Sequence, residues 1–236
     1  QACEWWLGAG LRGDLAVEMR WWPESLGELP SWRLLNLRWP LDHGAYPDQQ
    51  PHPPPPRTWS RTFGGSEDDG AYSIQQTSGG GYILAGWTDS FGAGGYDGWL
   101  IKTDARGNEE WSRTFGASAW DRAYSVEETS DGGYILAGWT DTFRPGFRDA
   151  WLIKTDDRGD EEWSRTFGGS EYDWARSVQQ TSDGGYILAG WTWSFSAGLR
   201  DAWLIKTDAR GNEQWSRKFG GSDYDRAYFV PDLMSK

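Results

Sequence analysis

Three aspartates recur at equal spacing and are the first candidates for chemistry in this chain. Asp97, Asp149 and Asp201 are 52 residues apart, and each stands two residues before a tryptophan. Carboxylates from successive copies of one motif could form a calcium site, because calcium prefers oxygen ligands. A short aspartate side chain in a turn can instead accept hydrogen bonds from backbone N–H groups. We expect the turn role and no metal or cofactor. Calcium binding by the acidic runs 67–69 and 171–173 is the alternative.

The two histidines do not form a catalytic set. His43 and His52 both lie beside a proline-rich stretch, without a nucleophile and an orienting group arranged around them. The chain also lacks a paired-cysteine motif, an H-E-x-x-H motif and a phosphate-binding loop. The recurring G-G-S-x-x-D phrases are predicted to be turns, because no helical pattern follows them. We therefore expect that the chain is not an enzyme.

Aromatic and basic side chains are concentrated in three variable loops, 89–97, 141–149 and 193–201. Ligand-binding residues often lie on such loops, held in place by a rigid scaffold. Aromatic faces can stack on sugar rings, so one hypothesis is a glycan site in each loop. Packing between loops or between subunits is the alternative. The candidate ligand residues are Phe91, Tyr96, Phe143, Phe147, Phe195 and Arg200.

These loops belong to a sequence that repeats itself. The phrase W-S-R-T-F-G-G begins at Trp59 and returns with small changes at Trp111, Trp163 and Trp215, always after 52 residues. The segments between these phrases repeat as well. A fixed period of this length indicates stacked or radial copies of one supersecondary unit.

Each repeat contains four predicted strands. They are A-Y-S-V-Q-Q-T, G-Y-I-L-A-G-W-T, D-A-W-L-I-K-T-D and E-E-W-S-R-T-F, with minor variations between copies. Valine, isoleucine, tyrosine, tryptophan and threonine fill the strands, and glycine, aspartate and asparagine separate them. A four-stranded unit of this length predicts an all-β fold, a β-propeller built from 52-residue blades. A linear β-solenoid is the alternative.

The phrase L-I-K-T-D-A-R-G-N-E-E-W resembles the blade-closing motif of quinoprotein-like propellers. In that family, a glycine-containing turn precedes a tryptophan that docks between blades. The repeats also resemble tandem propeller repeats of secreted bacterial and archaeal surface proteins, over residues 57–230. The resemblance implies the fold and an exported location. A quinone cofactor is known in the family, but we expect none here, because the residues that would flank it are not found.

The first 46 residues do not follow the repeat and are predicted to form a β-strand arm. Three candidate strands lie at 3–11, 14–22 and 31–39, although the last could also be helical. Residues 47–56 contain four consecutive prolines, which favour a stiff polyproline spacer. The arm is too short and too rich in tryptophan to be stable without packing against something else.

The repeats predict three complete blades and an incomplete fourth. The complete blades are expected at about 66–116, 118–168 and 170–220, within a propeller region of 57–236. Residues 57–63 resemble the last strand of a blade, and 225–230 resemble a first strand before Pro231 ends the pattern. Two strands are missing between them, and the arm could supply them.

The arm could complete its own ring or that of a neighbouring subunit. Strand donation to a neighbour is a head-to-tail contact that does not close, so it produces a filament. We therefore predict a structural subunit of an extracellular fibre, a homopolymer. A monomeric secreted lectin or adhesion module is the alternative. The predicted assembly residues are Trp5, Trp6, Leu15, Val17, Met19, Trp21, Trp22, Trp32, Leu34, Trp39, Tyr228 and Val230.

Composition and charge limit the classes of partner. The net charge is −12, which argues against nucleic acids and anionic membrane surfaces. No apolar run is long enough to cross a membrane. Because the sequence starts at Gln1 and resembles secreted repeats, we expect an exported protein whose signal peptide has been removed.

Overall fold

The computed structural model describes residues 3–9, 15–21, 59–143, 147–196 and 198–225. Within these ranges the protein is all-β, with three four-stranded antiparallel sheets and one two-stranded sheet. Four strands in each repeat and the all-β class are thereby confirmed. No helix that could span a membrane occurs in this part of the chain.

Strands are numbered in chain order. The two-stranded sheet contains β1 (Cys3–Ala9) and β2 (Leu15–Trp21). The first four-stranded sheet contains β3 (Asp69–Gln76), β4 (Tyr82–Thr88), β5 (Asp97–Thr103) and β6 (Glu109–Phe115). The second contains β7 (Asp121–Glu128), β8 (Tyr134–Thr140), β9 (Asp149–Thr155) and β10 (Glu161–Phe167). The third contains β11 (Asp173–Gln180), β12 (Tyr186–Thr192), β13 (Asp201–Thr207) and β14 (Glu213–Phe219). In each four-stranded sheet the spatial order follows the sequence, so every strand pairs with the next one along the chain.

A β-bulge interrupts the first strand pair of every four-stranded sheet. In the second sheet the register shifts between Ala123 and Ser125, opposite Gly138. A Cβ atom at Gly138 would collide with the Arg122 carbonyl oxygen, so glycine is required there. The bulge lies near the start of the first strand. It changes the direction in which the side chains at this end of the strand point.

The hydrophobic cores lie between successive sheets. Ile135, Leu152 and Phe167 of the second sheet pack against Val178 and Leu188 of the third. The first and second sheets pack in the same way. The alternation of side chains along each strand gives every sheet two apolar faces, one for each neighbour.

The first strands of the three sheets lie next to one another. Ser73 Oγ accepts a hydrogen bond from Val126 N at 3.3 Å, and Ser125 Oγ accepts one from Val178 N at 3.2 Å. Successive sheets therefore have the same relation to each other, with their first strands in direct contact.

The tryptophan of each of the first three W-S-R phrases packs against a glycine turn of the following sheet. A Cβ atom at Gly211 would lie 2.5 Å from Cζ3 of Trp163, and Trp59 contacts Gly107 in the same way. Trp59 and Phe63 also pack against Tyr82 and Leu84 of the first sheet. Residues 59–63 therefore pack against the first sheet in the way that β6 packs against the second sheet and β10 against the third.

The arm contributes one strand pair to the described part of the chain. β1 and β2 are antiparallel, with Trp5 opposite Met19 and Leu7 opposite Val17. Both strands fall within the ranges predicted for the first two arm strands. The third candidate strand, the proline-rich linker and the proposed strand at 226–230 lie outside the described residues.

Candidate functional site

The predicted loop phenylalanines lie at the same edge of the three sheets. Phe91, Phe143 and Phe195 are all exposed. Each ring packs against the buried tryptophan of the third strand of its own sheet, with centroid distances of 5.7 Å, 6.5 Å and 5.7 Å. This edge therefore presents one partly exposed aromatic ring per repeat.

The other predicted loop residues lie in a different group. Tyr96 packs against Trp87 at a centroid distance of 4.4 Å. Arg200, which occupies the equivalent repeat position, lies 4.9 Å from the ring of Trp191. Phe147 lies 6.2 Å from the ring of Tyr172. The structure therefore separates the predicted ligand set into the three phenylalanines and a group around Tyr96 and Arg200.

Four arginines extend this second group across the sheets. Arg122 lies 4.6 Å from the ring centroids of both Trp87 and Tyr96. Arg148 lies 4.1 Å from the Trp139 ring. Cation–π contacts of this kind are favourable when the cation is partly desolvated.

Arg176 and Arg200 continue the same pattern. Arg176 lies 3.9 Å from the Tyr124 ring, and Arg200 lies 4.8 Å from the Tyr224 ring. We call Arg122, Arg148, Arg176 and Arg200, together with their aromatic partners, the arginine–aromatic row. It follows the edge at which the first strands begin.

A cavity of about 420 Å³ opens within this row, between the second and third sheets. Arg148 lines it from the second repeat, and Arg176 and Arg200 line it from the third. Its aromatic walls are formed by Tyr172, Trp174, Trp191 and Trp193.

Sequence reasoning missed Arg122, Trp174 and Arg176, because it looked for ligand residues only in the loops. These three residues lie on first strands, at positions where otherwise similar repeats differ. One position is occupied by glycine, Arg122 and Trp174 in turn, and another by Tyr72, Tyr124 and Arg176. Such differences between copies at one repeat position were the sequence signal that could have identified these residues.

Among the three recurring aspartates, Asp97 has the turn role that the sequence predicted. Asp97 is 2 % exposed, and its Oδ2 accepts a hydrogen bond from Ala93 N at 2.9 Å. Burial raises the pKa of Asp97 to about 6, and the charge of Asp121 adds to this effect, while the hydrogen bond from Ala93 opposes it. In the described ranges no three metal-binding side chains converge on one point.

One face of the third sheet is exposed within the described ranges of the chain. Phe219 is 55 % exposed, whereas the equivalent Phe115 and Phe167 are 6 % and 8 % exposed. Trp215 is exposed as well, while Trp111 and Trp163 are partly buried against the following sheet. We call the face that carries Trp215 and Phe219 the open face.

The predicted assembly residues fall into two sets. Six lie on the paired strands β1 and β2, and the other six lie outside the described residues. On the strands are Trp5, Trp6, Leu15, Val17, Met19 and Trp21. Outside the described residues are Trp22, Trp32, Leu34, Trp39, Tyr228 and Val230.

Comparisons with known proteins do not assign a family. No protein-family model matches the chain, and no curated protein matches it. Among solved structures, it is similar to a protein of unknown function from Bacteroides caccae, with 13 % sequence identity and a TM-score of 0.44. The similarity covers 72 % of this chain and about half of that protein, 53 % of its length.

Proposed function

We propose that this protein is the structural subunit of an extracellular fibre. In this proposal the three sheets are blades of a β-propeller, and each subunit donates N-terminal strands that complete the propeller of its neighbour. The observation that carries the proposal is the open face, where Phe219 is 55 % exposed although its two equivalents are buried.

Contacts between the sheets support the propeller arrangement. First strands lie side by side and are joined by hydrogen bonds such as that from Glu128 N to Gln75 Oε1, at 2.6 Å. Radial repetition places the first strand of each blade beside the central axis, which brings these strands together. The repeated tryptophan–glycine contact gives each blade the same attachment to the next.

The open face is suited to a further sheet. In the second sheet the equivalent surface, with Ile135, Leu152 and Phe167, is covered by the third. An apolar sheet face with exposed aromatic residues favours association with a complementary surface. The incomplete blade lacks two strands, and the arm contains one pair of strands, β1 and β2. This match supports the arm as the donor.

The proposal is tested by changing the open face and the arm separately in the full chain. We expect filaments from the unmodified protein in negative-stain electron microscopy. Phe219→Asp should abolish them, because it places a charge where an apolar contact is required. The double variant Leu15→Asp/Val17→Asp should do the same by disabling the donated strands.

Thr166→Asp is the matched control, because Thr166 is exposed on the equivalent last strand of the second sheet. This variant adds the same charge and should leave filaments intact. Circular dichroism should show unchanged β-structure in all three variants. Filaments that persist in both Phe219→Asp and Leu15→Asp/Val17→Asp would disprove the assembly mechanism.

A secreted lectin or adhesion module is the second candidate function. It is favoured by the three exposed phenylalanines and by a cavity of about 480 Å³ beside Phe91, which is also lined by Trp99, Glu109 and Arg113. Aromatic rings beside polar side chains are suited to a sugar ring. Binding on a glycan array that is lost in Phe91→Ala, with the protein monomeric, would support this function over the fibre.

A further inference from the structure

The cavity between the second and third sheets is lined almost entirely by hydrogen-bond donors. Arginine and tryptophan side chains donate hydrogen bonds and accept none. Three arginines and three tryptophans line this cavity, and Tyr172 supplies the one lining hydroxyl that can also accept. A ligand for this cavity must therefore bring acceptors of its own.

Several of these donors have no acceptor in the part of the chain that the structure describes. The Nε1 atoms of Trp174 and Trp193 and the Nε atom of Arg200 are buried there without a hydrogen-bond partner. Buried polar groups of this kind are uncommon and destabilise a protein unless something satisfies them. The Arg200 side chain forms no ion pair within the described ranges, and its guanidinium group there contacts the rings of Trp191 and Tyr224.

Three arginine side chains bring positive charge to the cavity wall. Arg148 lies near a carboxylate, with 3.7 Å between its Nε and Asp141 Oδ2, which is a loose ion pair. Partly buried arginines gain most from a carboxylate that they can contact through two parallel hydrogen bonds. The protein as a whole is acidic, with a net charge of −12, so a basic cavity is a local exception.

The aromatic walls restrict the shape of the ligand. The rings of Trp174 and Trp191 are 4.4 Å apart, and those of Tyr172 and Trp193 are 5.5 Å apart. A bare inorganic anion would leave these walls without contacts, whereas a ring could pack against them. A volume of about 420 Å³ is sufficient for one or two six-membered rings.

We propose that this cavity binds a carboxylate-bearing six-membered ring. The ring could belong to a uronic acid residue of a polysaccharide or to a free aromatic acid. In either case the arginines bind the carboxylate and the tryptophans contact the ring. This site is distinct from the open face, so the proposal does not depend on self-assembly.

Titration calorimetry of the full chain tests the site with four probes. They are a trigalacturonate, the corresponding neutral galactose trisaccharide, 4-hydroxybenzoate and inorganic phosphate. We expect saturable binding of trigalacturonate or 4-hydroxybenzoate, and at least about tenfold weaker binding of the neutral sugar and of phosphate. The carboxylate probe that binds more tightly identifies the natural source of the ring.

Two variants assign the binding to this cavity. Arg200→Gln should weaken binding of the carboxylate probe by at least about tenfold, because it removes the charge and the paired donors. Trp174→Phe keeps a six-membered aromatic ring and removes the indole N–H together with the rest of the five-membered ring, so it should weaken binding by a smaller factor. This second variant keeps the test valid if Arg200→Gln fails to fold.

Arg122→Gln is the matched control. Arg122 belongs to the arginine–aromatic row but lies outside the cavity, with its Nη1 donating to the Tyr72 hydroxyl at 3.3 Å. This variant should bind the probe as the unmodified protein does. The proposal is overturned if neither carboxylate binds, or if Arg200→Gln and Trp174→Phe both bind normally.

Discussion

The indole ring of Trp111 occupies the space that a side chain at Gly159 would need. A Cβ atom at position 159 would lie 2.5 Å from Cζ3 of Trp111, and Gly159 has a positive φ of 79°. The turn at Gly159 is therefore both a backbone reversal and the surface on which the preceding sheet docks. The same contact recurs between each pair of successive sheets.

A comparison of Gly159→Ala with Gly132→Ala should separate the contribution of the backbone turn from the contribution of the tryptophan contact. Gly132 also has a positive φ, 86°, but a Cβ atom there would meet nothing within 4 Å. Gly132→Ala should cost only the backbone strain of alanine in this conformation, about 1–2 kcal/mol. Gly159→Ala should cost an additional 1–3 kcal/mol or so, because the indole must move.

Urea denaturation of both variants provides the measurement for this comparison. Equal losses in the free energy of unfolding would show that the tryptophan–glycine contact contributes little to the packing of successive sheets.

The two equivalent residues Phe167 and Phe219 should respond differently to alanine. Phe167 is buried between the second and third sheets, so Phe167→Ala should lower the free energy of unfolding by about 3–5 kcal/mol. Phe219→Ala should lower it by less than about 1 kcal/mol in unassembled protein, because this ring is 55 % exposed. Denaturation at low protein concentration measures both values. A large loss for Phe219→Ala under these conditions would mean that this ring is covered within a single subunit.

Asp97 should make the protein less stable as the pH rises through the mildly acidic range. Its folded pKa of about 6 is above the ordinary value of 3.8, so folding favours the protonated carboxyl. The stabilising effect is complete below about pH 4 and is lost as the pH rises through 6. Asp97→Asn cannot titrate and should lack this contribution.

Thermal unfolding of Asp97→Asn and of the unmodified protein between pH 4 and pH 7 tests this expectation. Relative to the unmodified protein, the variant should gain about 2 kcal/mol of stability across this interval. A constant difference between the two proteins at all pH values would contradict a raised pKa at Asp97.

The sequence was sufficient to predict the four strands of each repeat, although the first strand of each sheet begins two residues earlier than predicted. Y-I-L-A-G-W-T is a short apolar run, as expected for a strand that is buried on both faces, and glycine or aspartate stands at nearly every strand end. These are local signals, and the 52-residue period presents each of them three times. Phe91, Phe143 and Phe195 were correctly predicted to occupy matching places for the same reason.

The arginine–aromatic row could not be predicted in the same way. Arg148 contacts Trp139 of its own sheet but also Trp174 of the next, at 5.3 Å. That second contact depends on the rotation of one sheet relative to the other, which no local pattern specifies. Phe115 and Phe219 close nearly identical phrases, so only the position of Phe219 in the last complete repeat indicates their difference in exposure.

One measurement tests the assembly of this protein into filaments most directly. Purified full chain should be examined by negative-stain electron microscopy beside size-exclusion chromatography with light scattering. We predict filaments and a mass far above that of one chain. A single sharp peak near 26.7 kDa, without filaments, would contradict strand donation between subunits and would show that one chain covers its own open face.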